Sequence, residues 1–394
     1  MTATTDVAGK PRVSPWNDPG KRALLVQIIL LVIFGILAYE IVHNTLANLR
    51  SRNISSGFEF LSKSSGFDII QSLIPYSSSS SYGRALLVGF LNTVLVSAVS
   101  IVAATIIGFI MGVMRLSKNW LVARVATLYI EIFRNVPLLL WIFIFYGAVL
   151  QPLPGPRQAL TLFDSFFLSN RGFMMPRPLF GDGAWLGGAG FILAVIACWF
   201  VARWAKARQL QTGDTFPLLW TSIGLIIGLP LIGFALAGFP VQWELPVLKG
   251  FNFNGGITVI PEFMALFLAL SIYTGTYIAE AVRAGIMSVS HGQTEAALAL
   301  GLRPTRVLRL VVIPQAMRVI IPPLASTYLS LTKNSSLAVA VGYPDLVAAG
   351  GTVLNQTGQA IEVVGIWMVV YLSLSLLTSG FMNWFNSRMR LVER

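Results

Sequence analysis

Residues 295–314, with the sequence EAALALGLRPTRVLRLVVIP, form a charged and sharply cornered segment between two apolar runs. Gly301 is placed to end one short helix in the left-handed conformation, and Pro304 is suited to the first turn of the next helix. Pro314 predicts the end of that second helix. The local sequence therefore predicts two short helices that meet at a fixed corner.

The residues around this corner give it a small apolar surface and a basic side. Ser290 and Gln293 have the spacing of a capping box at the start of the first helix. Ala296 and Ala297 offer a small surface that can enter a groove on a partner. An ordinary basic loop between membrane spans would also explain the charge, but it would not need the Gly-Pro corner. A spacing of three predicts that the arginines lie along one side, and these are Arg303, Arg306 and Arg309.

The whole chain has the composition of a multi-span membrane protein. Of its 394 residues, 55% are hydrophobic and only 11% are charged, whereas an ordinary soluble domain carries about 25% charged residues. The net charge is +12, and positive inner loops explain this charge better than nucleic acid binding does. Cys198 is the single cysteine, and His43 and His291 are far apart, so we expect no disulfide framework, metal site or catalytic triad.

Eight apolar runs predict an all-α integral membrane protein, and a run of about 20 residues such as 23–42 is long enough to cross a membrane core of about 30 Å. An even number of spans places both termini on one side. Most of the 28 lysines and arginines lie in the tails and in alternate loops, so the positive-inside rule places both termini and the cornered segment in the cytoplasm. The predicted spans are residues 23–42, 84–114, 137–150, 185–203, 216–236, 260–281, 319–339 and 364–383.

The segments between the spans divide the chain into six parts. The outer loop after the first span is rich in serine, and we expect partial disorder at residues 77–81. The stretches 151–184 and 237–258 are expected to be outer loops, and residues 203–208 a short basic inner loop. The parts are an N-terminal tail at 1–22, the first span and outer loop at 23–83, a first core part at 84–150, inserted loops and two spans at 151–259, a second core part at 260–388 that contains the cornered loop at 285–318, and a tail at 389–394.

A family resemblance rests on the cornered segment. Glu295-Ala296-Ala297, Gly301 and Val311-x-Ile313-Pro314 resemble the EAA loop of ABC importer permeases, which forms a coupling helix that docks on a separate ATP-hydrolysing subunit. Residues 129–140 and 269–301 are similar to the polar amino-acid branch of these permeases. The resemblance implies a type I ABC importer permease fold (MetI-like), with a core of about five helices and three additional transmembrane helices.

The added first span and the inserted pair of spans resemble the longer, Q-type permeases of general L-amino-acid importers. This resemblance implies a bacterial inner-membrane location, a second and non-identical permease, ATP-binding subunits and a periplasmic amino-acid-binding protein. No Gly-x-x-x-x-Gly-Lys-Ser/Thr loop occurs in the sequence, so ATP and Mg²⁺ are expected on the partner subunit and no cofactor on this chain. We therefore expect a transport permease in contact with membrane lipid, and neither an enzyme nor a nucleic acid partner.

The resemblance assigns the coupling contact to the cornered segment. Glu295 is the charged contact that we expect to matter most. For Gly301, a purely structural role as a helix C-cap remains an equal alternative. The predicted coupling residues are Gln293, Glu295, Ala296, Ala297, Gly301, Arg303 and Pro304.

Polar and ionisable residues within spans are the candidates for the substrate path, because they are costly there and often functional. The ammonium of Lys333 could meet a substrate carboxylate, although a tether to a backbone carbonyl or an acidic neighbour would explain it equally. Asn334 stands where many family members have an aspartate, so the substrate amine should be held differently. Three further candidates line the path or only hydrogen-bond between helices, and these are Asn92, Thr93 and Ser97.

Charged residues at the cytoplasmic mouth are predicted to form structural or gating ion pairs. Glu280 and Arg283 have the (i, i+3) spacing of a pair on one helix face. They can pair with each other or with Glu131 and Arg134.

An ion-coupled secondary amino-acid transporter is the alternative function. It would need acidic or paired sites within the spans and usually an inverted repeat. The sequence shows no evident repeat and few acidic residues inside spans. Uptake that survives ATP depletion but falls with the ion gradient would favour this alternative.

Overall fold

A computed structural model describes residues 19–51 and 57–389 of the chain. Within these ranges, seven helices are long and apolar enough to cross a membrane. The number is eight if the pair Trp120–Arg134 and Leu138–Leu150, which bends by 101°, counts as one span. The all-α membrane architecture is therefore confirmed. Most of the predicted N-terminal tail, residues 1–18, and most of the C-terminal tail, residues 390–394, lie outside the described residues.

The helices and strands have the following bounds. The α-helices are α1 Pro19–Ser51, α2 Tyr82–Arg115, α3 Trp120–Arg134, α4 Leu138–Phe143, α5 Trp185–Thr212, α6 Leu218–Leu236, α7 Pro261–Met287, α8 His291–Ala299, α9 Pro304–Val307, α10 Ile313–Asn334, α11 Leu346–Thr357 and α12 Ala360–Met389. The strands are β1 Leu160–Leu162, β2 Phe166–Ser169, β3 Gly172–Met175, β4 Arg177–Phe180, β5 Val241–Glu244, β6 Val247–Lys249, β7 Asn252–Asn254 and β8 Ile257–Val259. A π-helical segment, Ile144–Leu150, continues α4, a second, Leu308–Val312, joins α9 to α10, and a 3₁₀ helix, Ser335–Val341, follows α10.

The core is built on the close contact of α2 with α7. Gly108 and Gly112 of α2 lie where α7 comes nearest: a Cβ atom on Gly108 would be 2.5 Å from the Cβ of Ile278, and one on Gly112 would be 2.8 Å from the Cβ of Val282. Small residues at a helix contact let the two backbones approach closely, and van der Waals packing then holds them together within a membrane. Close packing of α2 against α7 therefore depends on these two glycines.

The three additional helices have little contact with this core. Helices α5 and α6 pack on each other, where Gly190 and Gly233 let the two backbones meet. In the most apolar 18-residue stretch of each helix, only 11% of α5 and 6% of α6 are buried, compared with 61% of α7. None of the corresponding stretch of α1 is buried. The exposed apolar faces of these helices are suited to contact with lipid.

Two predicted boundaries in the helices are wrong. Pro314 does not end a helix but lies in the first turn of α10, and the wide π turn before it accommodates the missing N–H and the ring of the proline. The basic segment 203–208 is not a loop but the last part of α5. There the guanidinium groups of Arg203 and Arg208 lie over the rings of Trp199 and Trp204, at 4.0 and 5.5 Å from the ring centroids.

The serine-rich outer segment is ordered, so the predicted disorder at residues 77–81 is wrong. The N–H of Ser65 donates to the carbonyl of Ser80 at 2.8 Å. The side chain of Ser81 caps α2 by accepting from the N–H of Arg84. Phe60 is buried in an apolar cluster beside α2 and α12. We call residues 57–81 the strap, because hydrogen bonds and this aromatic anchor hold them on the core.

The predicted outer loops 151–184 and 237–258 contain small antiparallel sheets, which were not predicted from the sequence. One sheet has the strand order β1-β2-β3-β8, and two further sheets pair β4 with β5 and β6 with β7. Strand β8 leads directly into α7, so the four-stranded sheet is joined to the end of α7 that is remote from α8. We call this the sheet end of the protein.

Gly108→Ala should destabilise the protein by about 1–3 kcal/mol, because the added methyl group overlaps Ile278 and approaches the carbonyl oxygen of Gly275, at 2.9 Å. Thermal unfolding of the purified protein in detergent measures the change. Gly224→Ala in α6 is the control, since a Cβ atom there meets nothing within 4 Å. Equal effects of the two substitutions would contradict this account of the α2–α7 contact.

Candidate functional site

Helices α8 and α9 form a rigid corner, here called the elbow (residues 291–307). Gly301 has a φ of 78°, as predicted for the left-handed residue that ends α8. The next residue, Leu302, donates its N–H back to the carbonyl of Ala297 at 3.3 Å, in the pattern of a Schellman motif. Pro304 opens α9. The short first helix and the fixed corner are therefore confirmed, whereas the second helix is not short, because α9 continues without a break into α10.

The start of the elbow differs from the prediction. Ser290 occupies the N-cap position of α8, but its side chain makes no capping hydrogen bond. The backbone N–H of Gln293 donates instead to the backbone carbonyl of Ser290 at 3.0 Å, so the donor that the capping box would satisfy already has a partner. The first turn also carries a contact of 3.0 Å between Nδ1 of His291 and Oε1 of Glu295.

The elbow exposes large apolar side chains as well as charged ones. Leu300, at the corner itself, is 82% exposed, and Leu298 is also exposed. Ala296 lies on the surface, whereas Ala297 is only 6% exposed and lies beneath the corner. Exposed leucines beside charged residues are typical of a surface that a partner covers. The predicted coupling residues that lie on the surface are Gln293, Glu295, Ala296, Gly301, Arg303 and Pro304.

A continuous helical rod joins the elbow to the middle of the molecule. Helix α9, the π segment Leu308–Val312 and α10 follow one another without a break. Within this rod, Ile320 packs against α7 at Gly285, where a Cβ atom would overlap the isoleucine side chain. The rod contains Pro322 and Pro323 inside α10 and is nevertheless helical from the elbow to Asn334, so one helical segment connects the elbow with the groove.

A polar groove of about 390 Å³ lies between the middle of α7 and the second half of α10. The hydroxyl groups of Tyr273 and Tyr277 are hydrogen-bonded at 2.9 Å. The groove offers many hydrogen-bonding groups, and its lining includes no acidic or basic side chain. The lining residues are Tyr273, Thr274, Tyr277, Ser326, Thr327, Ser330, Leu331 and Asn334. Such a polar concavity between apolar helices suits a small polar solute.

The predicted path residues separate into two groups. Asn334 lines the groove. Lys333 lies beside it on an exposed face of α10, and it forms no ion pair with any residue that the structure describes. Lys333 therefore adjoins a groove residue in sequence but is not part of the lining.

Asn92, Thr93 and Ser97 are buried inside the chain and do not line the groove. The side-chain amide of Asn92 donates to the carbonyls of Gln71 and Pro344, both at 2.9 Å. The hydroxyl of Thr93 accepts from the N–H that begins α11, at 3.0 Å. These contacts are the hydrogen bonding between segments that the sequence left open as an alternative, and they hold the start of α11 and the strap on α2.

A buried carboxyl group lies next to these contacts, outside the spans. Asp345 caps α11, with Oδ1 accepting from the N–H of Ala348 at 2.8 Å. Removal from water raises the pKa of the Asp345 carboxyl to about 7, although hydrogen bonds from backbone N–H groups act in the opposite direction. The cap therefore lies close to its titration point near neutral pH.

Charged residues converge where α2 and α7 approach the elbow. Glu280 accepts a hydrogen bond from Arg283 at 2.6 Å, which confirms the first of the two predicted pairings. It also pairs with Arg115, the last residue of α2. All three side chains are partly exposed. This network ties the end of α2 to α7.

Arg134 and Glu131, the alternative partners, take other positions. The guanidinium of Arg134 lies over the ring of Tyr277, at 5.3 Å from the centroid. Glu131 is exposed and forms no ion pair within residues 19–51 and 57–389. Because Tyr277 lines the groove, Arg134 brings a positive charge to its edge.

Two features of the site were not identified from the sequence. The partner of Arg115 has no local sign in the sequence, because Glu280 lies 165 positions further along the chain. The polar row of α10, three hydroxyl groups and one amide, could have been found from the sequence, because polar residues at helical spacing within an apolar helix share one face. This row consists of Ser326, Thr327, Ser330 and Asn334.

Comparisons with known proteins agree with this arrangement. A family model described as "Binding-protein-dependent transport system inner membrane component" matches residues 104–391. The general L-amino acid transport system permease protein AapQ of Rhizobium johnstonii is 56% identical over 381 residues, which are 97% of this chain and 95% of that protein. The glutamate/glutamine/aspartate/asparagine transport system permease protein BztB of Rhodobacter capsulatus is 43% identical over 411 residues and covers 96% of each chain.

A solved structure of an amino acid ABC transporter with histidines aligns at a TM-score of 0.47 and 20% identity, over 78% of this chain and 95% of that chain. The family model spans both the groove and the elbow, and the sequence relatives match nearly the whole length. The chain therefore belongs to the family of binding-protein-dependent transport system inner membrane components, and it is a multi-pass permease of an ABC transporter.

Proposed function

We propose that this chain is a permease subunit of an ATP-driven importer for L-amino acids. The observation that carries the proposal is the continuity of α9 with α10, because the helix that begins at the elbow also lines the polar groove. A force applied to the elbow therefore acts directly on the groove. The relatives named for amino-acid transport support this substrate class.

The elbow is the contact for a separate ATP-binding subunit, which carries the ATP and Mg²⁺. Leu300 and Glu295 provide an apolar anchor beside a charge, a combination that suits the centre and the rim of a protein interface. We assign the elbow and both termini to the cytoplasm, where ATP is present, and the sheet end to the periplasm. This orientation follows from the distribution of positive charge.

The groove is open on one side of the chain, so it needs a facing surface to enclose a solute. We assign that surface to a second, non-identical permease. When ATP brings the ATP-binding subunits together, the two elbows move with them, and the groove opens outward to receive an amino acid from the periplasmic binding protein. Hydrolysis of ATP returns the pair to the inward-open state.

The groove recognises an amino acid through neutral groups inside it and positive charges at its edge. The ammonium of Lys333 and the guanidinium of Arg134 lie at the edge and attract the substrate carboxylate. Asn334 presents an amide where a carboxylate would bind the substrate amine more strongly. The ammonium group is therefore held by hydroxyl oxygens and by the tyrosine rings.

Leu300→Glu should reduce amino-acid uptake about tenfold or more, because a carboxylate would be buried without a partner against the ATP-binding subunit. Uptake and co-purification of that subunit should fall together. The control is Leu210→Glu at the end of α5, where the side chain is 81% exposed and remote from the elbow. Wild-type uptake in the Leu300→Glu variant would rule out coupling through the elbow.

Asn334→Asp should change the selectivity of the groove in favour of cationic amino acids, because the new carboxylate attracts a positive side chain and repels a negative one. We expect the uptake ratio of L-arginine to L-glutamate to rise by about tenfold. Ser336→Asp, just beyond the groove lining, serves as the control. An unchanged ratio for Asn334→Asp would show that the groove is not the substrate path.

A further inference from the structure

A second polar cavity, of about 640 Å³, lies at the sheet end of the protein. Its walls come from five parts of the chain: the strap, the π segment after α4, the β2–β3 turn with β3, strand β7, and the stretch from β8 to the first turn of α7. The additional sheet and the permease core therefore build this cavity together. Its volume is within the range of sites for small molecules.

Two opposite charges line this cavity without joining each other. Arg171 lies on the β2–β3 turn, and Glu262 lies in the first turn of α7. Oε1 of Glu262 accepts a hydrogen bond from the hydroxyl of Tyr146 at 3.0 Å. No ion pair links Arg171 to Glu262 in the part of the chain that the structure describes. A cation and an anion that face one space but remain apart can each bind the opposite charge of a zwitterion.

The backbone fixes the relative position of these two charges. Strands β2 and β3 are in register up to the pair Ser169 and Gly172, so Arg171 lies in a tight turn. Gly172 has a φ of 115°, and a Cβ atom there would overlap the carbonyl oxygen of Val259 in β8. Strand β8 pairs with β3 and runs within three residues into Glu262. The turn that carries Arg171 and the helix that carries Glu262 are thus parts of one hydrogen-bonded unit.

The remaining walls are neutral and leave room for different side chains. Amide groups come from Gln151, Asn170 and Asn252, and a hydroxyl group comes from Thr258. Met174, also in the lining, is buried. The two charged groups can bind the charged part that related zwitterions share, and the neutral groups leave room for the part that differs between them.

The cavity also leads toward the groove. A neighbouring cavity of about 450 Å³ shares Ile70, Ile260 and Glu262 with it. This neighbour extends to Val339 and Gly342, in and just after the 3₁₀ helix that follows Asn334. The outer cavity thus adjoins a second cavity, and that second cavity reaches the segment just after α10, the helix that lines the groove.

We propose that the cavity at the sheet end is an outer binding site for a free zwitterionic α-amino acid. The guanidinium of Arg171 binds the carboxylate of the ligand, and the carboxylate of Glu262 binds its ammonium group. This inference rests on the proposed function, since the ligand is the transported class of molecule. It assigns a role to the additional sheet, which supplies the carboxylate-binding half of the site.

Equilibrium binding of radiolabelled L-glutamine to the complete transporter in nanodiscs, without the periplasmic binding protein, tests this assignment. N-acetyl-L-glutamine lacks the ammonium group, and the methyl ester of L-glutamine lacks the carboxylate. We expect saturable binding of L-glutamine at millimolar concentration, and each derivative should compete about tenfold less well, because one charge-assisted contact is lost.

Substitutions divide the site into its two halves. Arg171→Ala should weaken binding of L-glutamine about tenfold and remove discrimination against the ester, whereas Arg171→Lys should restore part of both. Glu262→Gln should remove discrimination against the N-acetyl derivative. Arg177→Ala is the matched control, because this arginine lies on β4, pairs with Glu244 at 3.8 Å and is outside the cavity. It should bind L-glutamine as the wild type does.

Several results would overturn the assignment. These are an absence of saturable binding by a wild-type complex with intact uptake, unchanged discrimination in both cavity variants, or an equal loss in Arg177→Ala. If the cavity variants bind L-glutamine normally but no longer capture the periplasmic binding protein, the cavity is a docking surface for that protein instead. ATP-driven uptake by the wild-type transporter separates the two proposals. Its absence contradicts the proposed function. Normal uptake, together with unchanged L-glutamine binding in the Arg171 and Glu262 variants, contradicts only the outer site.

Discussion

The backbone contact between α2 and α7 is the constraint on which the rest of the structure depends. Lipid tails are as apolar as leucine, so the hydrophobic effect does not choose between helix and lipid, and close packing must supply the attraction. Gly108 and Gly112 let α7 approach α2, and Gly285 lets α10 approach α7 from another side. The width of the groove between α7 and α10 is thus set by glycines that lie outside the groove.

Helix α10 connects the elbow with the groove. A proline in the middle of a helix would normally break or kink it. Pro314 lies in the first turn of α10, after the π turn Leu308–Val312, whereas Pro322 and Pro323 lie inside α10. The chain nevertheless stays helical from the elbow to the groove. The elbow is itself stiff, because Gly301 ends α8 at a defined angle and Pro304 begins α9. The elbow and the groove are therefore joined by one continuous helical segment.

The additional parts of the chain lie around this core. Helices α5 and α6 pair with each other, and α1 presents its apolar surface outward. The strap and the four-stranded sheet, by contrast, are attached to the core itself. The strap is held by the buried amide of Asn92, and the sheet by the direct connection of β8 to α7. The sheet end is thus the place where an added segment can acquire a role in binding.

The sequence by itself determined the features that depend on neighbours along the chain. Apolar length predicted the spans, the Gly301 and Pro304 pair predicted the elbow, and the spacing of Glu280 and Arg283 predicted their ion pair. Tertiary structure decided the features that join distant residues. Arg115 meets Glu280 across 165 positions, Asn92 turns inward to hold the strap, and the hydroxyls of α10 become a groove only beside α7. Local conformation and hydropathy are properties of a short segment, whereas the partner of a side chain is fixed only when the helices have packed.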